Sequence, residues 1–95
     1  MNVEITSRHY DASPKVKEYV NEELKKLEIF DHLITSCKVI LEKSKEGELV
    51  EISIHVSGKD LVSSDSSDDI IKSIDLAVDK IERQLKKFKE KRYSH

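Results

Sequence analysis

The chain contains few of the residues that several common functions depend on. Its 95 residues include one cysteine, one proline, two glycines and no tryptophan. The single cysteine, Cys37, cannot form a disulfide within the chain. Gly47 and Gly58 both fall in predicted turns, so there is no glycine-rich phosphate-binding loop. No apolar run reaches transmembrane length, and the first ten residues lack the pattern of a signal peptide. We therefore expect a soluble cytoplasmic protein that folds as one domain over residues 1–95, with no membrane partner and no cofactor.

Catalytic and metal-binding patterns are also absent from the sequence. None of the four histidines lies at metal-ligand spacing from another histidine or from Cys37 (His9, His32, His55 and His95). A grouping of Ser63 or Ser64 with Asp65 and His55 has no nucleophile elbow to position it. Cys37 alternates with apolar residues, which predicts a small buried side chain. We expect neither an enzyme nor a metal site.

The clearest pattern in the chain is an amphipathic helix predicted over residues 68–92. Its apolar residues recur at steps of three and four: Ile71, Ile74, Val78, Ile81, Leu85 and Phe88. At 100° per residue, four basic side chains fall together on the opposite side, and we call them the cationic row: Lys80, Arg83, Lys87 and Lys91. One helix therefore offers an apolar face to a core and a basic face to solvent.

The charge of the chain is divided between two regions. Residues 80–95 hold seven Lys or Arg and two Asp or Glu, a net charge of +5, whereas the remaining residues sum to −7. Such an asymmetry favours a polyanion-binding face on a protein that is not basic overall. A lysine-rich helix end also complements the helix macrodipole, so the charge pattern alone leaves both interpretations open.

The remaining chain predicts an α+β fold in the order β-α-β-β-β-α. Ser13 and Pro14 signal the start of a first helix that we expect to reach about Glu28. Residues 29–34 are expected to be a linker with Phe30 and Leu33 tucked beneath that helix. The predicted strands cover residues 2–6, 35–42, 48–56 and 61–64. We expect a four-stranded sheet with both helices packed on one face, and Ser66, Ser67 and Asp68 capping the last helix.

The spacing of the cationic row suits a nucleic-acid backbone. Its members lie about 4.5–6 Å apart along the axis, at 1.5 Å per residue, similar to the spacing of neighbouring phosphates. Lys86 widens the row from its side. Such a row recognises shape and charge rather than sequence. The strands carry no aromatic platform for stacking single-stranded bases, which favours a structured RNA.

Four stretches resemble the short ribosome hibernation-promoting factors, relatives of the ribosome-associated translation inhibitor protein Y. They are NVEIT, SPKVKEYV, KKLE and IDLAVDKIERQLKKFKEK. The older name of this family is sigma-54 modulation protein. The resemblance covers essentially the whole chain and implies a fold like that of double-stranded RNA-binding domains.

The resemblance also implies a function and a binding site. Members of the family occupy the decoding channel of the small ribosomal subunit, block messenger and transfer RNA, and keep idle ribosomes inactive in stationary phase or stress. The cationic row would then hold ribosomal RNA phosphates, with Lys26 of the KKLE stretch and, to a lesser extent, Lys86. The implied partners are the small subunit, the whole ribosome and a separate ribosome modulation factor. The protein is expected to be a monomer off the ribosome and to promote ribosome dimers.

One segment departs from the family pattern. The family has small residues and then Asp-Met-Tyr before the last helix, where this chain reads SSDSSDDII. Its acidic residues would repel RNA if they faced the same way as the cationic row. Two other functions stay open: a regulatory module that docks a protein on its open sheet face, through Glu51, Ser53 and His55, and a general double-stranded RNA-binding domain.

Overall fold

The structure, a computed structural model, describes the backbone of residues 1–93 and the side chains of residues 1–91, so His95 lies outside the described residues. Its elements follow in the predicted order: β1 (Val3–Arg8), α1 (Pro14–Leu24), a 3-10 helix (Lys25–Leu33), β2 (Ile34–Ser44), β3 (Gly47–Val56), β4 (Lys59–Ser67) and α2 (Ile70–Tyr93). This order confirms the predicted β-α-β-β-β-α fold.

The four strands form one mixed sheet in the order β1-β2-β3-β4. β1 runs parallel to β2, and the other two pairs are antiparallel. Alternate residues of each strand point to the same face, so Val39, Ile52 and Ser63 lie side by side across β2, β3 and β4. That face is covered by both helices, as expected, and its apolar side chains are buried.

The first helix ends earlier than predicted. Ser13 caps it as expected, because its Oγ accepts a hydrogen bond from the backbone N–H of Val16 at 3.2 Å. The α-helix stops at Leu24 rather than near Glu28, and the expected linker is part of a 3-10 helix. The reason is the spacing of the buried residues Leu27, Phe30 and Leu33. Steps of three place them on one side of a helix with three residues per turn.

The fourth strand is longer than the predicted residues 61–64, since it runs from Lys59 to Ser67. From Ser63 onward its inward positions are polar and are satisfied by α2. The Ser63 hydroxyl donates to the Ala77 carbonyl at 2.8 Å, and the Ser67 and Ser73 hydroxyls are 2.7 Å apart. Serine has little intrinsic preference for strands, so these contacts with α2 rather than local propensity extend β4.

The last helix is held firmly against the sheet. Its side chains Ile74, Val78, Ile81 and Leu85 are fully buried. The cap lies one residue later than predicted, because the Asp69 carboxylate accepts from the Ile71 N–H at 3.0 Å.

None of the helices within residues 1–93 is both long and apolar enough to cross a membrane.

Candidate nucleic-acid interface

The cationic row lies on the exposed side of α2, opposite the buried stripe. Lys80, Arg83, Lys87 and Lys91 are all exposed to solvent, as the helical periodicity predicts. At 1.5 Å per residue the row is about 16 Å long. α2 is a rigid support for it, because the other side of the helix is part of the core.

Two side chains tie this exposed side of α2 to the edge of the sheet. Gln84 donates to the Val62 carbonyl at 2.7 Å, and the Lys80 ammonium lies 3.5 Å from the Ser64 carbonyl. β4 is an edge strand, so these carbonyls have no strand partner on that side. Gln84 was not among the predicted site residues, since nothing in the sequence links it to β4. The cationic row therefore runs beside the β4 edge of the sheet.

The acidic side chains of the segment before α2 do not all point in the same direction. Asp65 is in register with the buried Val50, so its side chain points to the helix side of the sheet. There its carboxylate pairs with the Lys80 ammonium at 2.6 Å. Asp69 caps the helix, and Asp68 is exposed. One carboxylate of this segment thus neutralises the first member of the cationic row.

The rest of the row has no such partner. Among residues 1–91, Arg83, Lys87 and Lys91 form no ion pair and no side-chain hydrogen bond within the protein. Lys59, which was not predicted as a site residue, lines a cleft together with Lys87 and Lys91. Free ammonium and guanidinium groups can bind phosphate oxygens, arginine through two N–H donors and lysine as a point charge.

Lys26 lies apart from the row, on the 3-10 helix. Its ammonium pairs with the Glu23 carboxylate at 3.0 Å. That hydrogen bond, with smaller contributions from Asp79 and Asp75 of α2, raises the pKa of Lys26. The charge of Lys26 is thus already balanced by carboxylates around it.

Lys86 is on a different side of α2 from the row. It is exposed and lines an apolar hollow with Ile29, Phe30, Lys89 and Glu90. The Lys89 ammonium lies 5.8 Å from the centre of the Phe30 ring, a cation–π distance. The structure therefore groups Lys86 with Lys89 rather than with the cationic row.

The hypothetical serine–histidine grouping is not assembled. Ser63 points toward α2, whereas His55 is on the open face, where its Nδ1 lies 2.6 Å from the Asp60 carboxylate. Ser64 shares the open face, but it is in register with Glu51, about 13 Å along β3 from His55 at 3.3 Å per residue. Across the described part of the chain, no group of three or more His, Cys, Asp or Glu is placed to hold a metal ion.

Cys37 is a core residue, as its alternation with apolar residues predicts. It is 1% exposed, and burial raises the pKa of its thiol to about 11. A buried thiol that stays protonated is a poor nucleophile.

The sequence model of the sigma 54 modulation protein / S30EA ribosomal protein family matches residues 3–93. The chain belongs to this family. Among its curated relatives, the ribosome hibernation promoting factor of Azotobacter vinelandii is 37% identical over 91 residues, which cover 96% of this chain and 85% of that protein. The resemblance found in the sequence is thereby confirmed over nearly the whole chain.

Two solved structures share the fold. A ribosomal subunit interface protein from Coxiella burnetii superposes with a TM-score of 0.88 at 27% identity, covering 94% of this chain and 98% of that one. The N-terminal domain of Thermus thermophilus Protein Y gives a TM-score of 0.84 at 26% identity, covering 93% and 99% of the two chains. The family relationship and the four-stranded fold therefore agree.

Proposed function

We propose that this protein is a ribosome hibernation factor that binds the small ribosomal subunit through the cationic row of α2. The observation that carries the proposal is a rigid, exposed line of basic side chains on a member of a family whose relatives are named for ribosome hibernation and for the ribosomal subunit interface. A fixed row of cations is suited to a folded RNA, whose phosphates also lie at fixed positions.

In the finer version of this proposal, the protein occupies the decoding channel. A body seated there competes with messenger and transfer RNA for the same space, so it inhibits translation without any chemical step. Ribosomes held in this way stay inactive, and we propose that they accumulate as dimers in stationary phase or stress, with the help of a separate modulation factor. The protein itself works in the cytoplasm as a monomer when it is off the ribosome.

The affinity of this complex should depend strongly on salt. Binding of a cation to an RNA phosphate releases condensed counterions, so the logarithm of affinity falls linearly with the logarithm of salt concentration. If the complex neutralises about five phosphates, the slope is about −3.5 to −4.5, at 0.7–0.9 per contact. A slope of this size would separate phosphate contacts from an apolar protein interface.

The test is a triple variant, Lys80→Ala, Arg83→Ala and Lys87→Ala, sedimented with ribosomes at several salt concentrations. We expect normal folding, because all three side chains are exposed and alanine favours helix. Loss of three contacts lowers affinity at 0.1 M salt by more than about a hundredfold, at 0.7–0.9 decades per contact. Retained binding by the triple variant would overturn the site assignment.

A matched control replaces three exposed lysines elsewhere, Lys15→Ala, Lys17→Ala and Lys45→Ala. It removes the same total charge and should bind like the wild type. Equal binding to naked duplex RNA and to ribosomes would favour a general double-stranded RNA-binding domain. A protein partner retained at high salt would favour the regulatory module that docks through the open sheet face.

A further inference from the structure

A cleft of about 170 Å³ lies at the far end of the cationic row, between the start of β4 and the last turns of α2. It has room for roughly five or six water molecules, at ~30 Å³ each. Its lining combines charged, polar and apolar residues: Lys59, Asp60, Leu61, Gln84, Lys87, Phe88 and Lys91. A cleft of this size and charge suits a partly hydrated anion.

The topology explains why Lys59 reaches this cleft. β4 and α2 run in opposite directions, since Ser64 lies near Lys80 and Val62 lies near Gln84. Two residues of strand cover about the same length as four residues of helix, roughly 6 Å. Continuing this register brings the first residue of β4, Lys59, beside the turn of α2 that carries Lys87 and Lys91.

The hairpin between β3 and β4 directs the Lys59 side chain. Ser57 and Gly58 form a two-residue turn, and Gly58 has φ +72°, a conformation that glycine adopts without strain. Lys59 is in register with Val56, whose side chain is fully buried on the helix side of the sheet. Partners in register point to the same face, so Lys59 also leaves the strand on the helix side.

The charge inside the cleft is positive. Three lysines line it, and within the described residues none of them pairs with a carboxylate. The one acidic residue of the lining, Asp60, has its carboxylate 2.6 Å from His55 Nδ1 on the open face of the sheet. The carboxylate is therefore engaged on the other side from the ammonium groups. The Gln84 amide uses one of its two N–H donors on the Val62 carbonyl.

We propose that Lys59, Lys87 and Lys91 bind neighbouring phosphate groups of one RNA backbone at this cleft, one phosphate to each lysine. The RNA-binding surface then extends from α2 across to the β3–β4 turn. This inference rests on the proposed function and adds a residue from a second element. Two elements at a fixed angle recognise the curvature of the backbone, which a single helix row cannot do. The protein would thereby favour folded RNA over an extended polyanion.

The experiment compares Lys59→Ala with Lys45→Ala. Each variant removes one exposed lysine near a two-residue turn, and the two positions lie at opposite ends of β3, about 30 Å apart at 3.3 Å per residue. We expect Lys59→Ala to lower ribosome affinity about five- to eightfold at 0.1 M salt and to flatten the salt slope by 0.7–0.9. Lys45→Ala should change neither, and Lys59→Arg should restore both. A slope for Lys59→Ala equal to that of Lys45→Ala would overturn the proposal.

A second measurement separates this inference from the proposed function. Inorganic phosphate is titrated into the wild type and Lys59→Ala, and NMR shifts are followed at residues of the cleft. Shifts that cluster there and vanish in Lys59→Ala support a phosphate-binding site in the cleft, even if ribosome binding fails and the proposed function falls with it. Shifts scattered over all exposed lysines overturn this phosphate-binding site. Clustered shifts with unchanged ribosome binding by Lys59→Ala assign the site to free phosphate and overturn the RNA proposal.

Discussion

The two ends of the cationic row carry the same formal charge but differ in their surroundings. At the start, Lys80 pairs with Asp65 at 2.6 Å and lies beside the Ser64 carbonyl. At the far end, Lys87 and Lys91 have no carboxylate partner in the described structure and share a cleft with Lys59. A lysine that already has a partner must give it up before it binds a phosphate, and the gain is correspondingly smaller. On the proposed function, the charge available to RNA phosphates is therefore concentrated in the second half of α2.

The largest expected effect comes from reversing charge at the unpaired positions, with Arg83→Glu and Lys87→Glu together. Both contacts are lost and two carboxylates are placed against the RNA, so ribosome affinity should fall by about a hundredfold or more at 0.1 M salt. The measurement is co-sedimentation with the small subunit across a salt series. The fold should be retained, because both side chains are exposed.

The control for this double variant is Lys15→Glu with Lys17→Glu on the exposed side of α1. It changes the net charge by the same amount and leaves α2 intact. If the control loses as much affinity as the variant, long-range charge rather than the row determines binding, and the comparison between the two ends fails.

A smaller effect in the opposite direction is expected from Asp65→Asn. The change removes the carboxylate that holds Lys80 and leaves the amide able to bond to it. A partly exposed ion pair contributes about 0.2–1 kcal/mol, so releasing Lys80 should raise RNA affinity up to about fivefold. The salt slope should change little, because Lys80 meets one phosphate in both proteins.

Asp68→Asn is the matched control for Asp65→Asn, because Asp68 is exposed and forms no ion pair among residues 1–91. Both changes remove one negative charge from the same segment. Equal gains in RNA affinity would mean that both carboxylates simply repel the RNA. A gain confined to Asp65→Asn would show that Asp65 competes with RNA phosphate for Lys80. Weaker binding by Asp65→Asn would show that the pair positions Lys80 for RNA instead of withholding it.

The sequence predicted most accurately the elements whose pattern is local. α2 and its exposed basic face follow from a period of 3.6 residues over six turns, and β3 follows from strict alternation. The end of β4 was missed because Asp65 faces the helices as a polar residue. Its partner, Lys80, lies far along the chain. Periodicity in a single element cannot show such pairing.

The sequence predicted the basic residues of the candidate site but not the residues that contact them. Helical spacing identified the members of the row, and all four are exposed. It gave no sign that Asp65 forms an ion pair with Lys80 or that Gln84 donates a hydrogen bond to the β4 edge, since these contacts join different elements. Lys59 was missed for the same reason, because only the strand register places it beside α2. Its one signal in the sequence is a lysine directly after the turn glycine, Gly58.

The smallest expected effect concerns Lys26, which resembles Lys80 in having a partner. Its ammonium pairs with Glu23 at 3.0 Å, and its raised pKa reflects that bond first. Lys26→Ala should lower ribosome affinity less than about twofold, against five- to eightfold for Lys87→Ala at 0.1 M salt. The two variants are compared in one titration series on the same ribosome preparation.

Glu23→Gln completes this comparison, because it frees Lys26 in the way that Asp65→Asn frees Lys80. If ion pairs inside the protein limit binding at both places, Glu23→Gln raises affinity, and adding Lys26→Ala cancels the gain. A large loss from Lys26→Ala alone would contradict this view. It would place Lys26 in direct contact with RNA despite its partner, and local pairing would then be a poor guide to which lysines bind. The difference between the two ends of the row would need another cause, such as the angle at which α2 approaches the RNA.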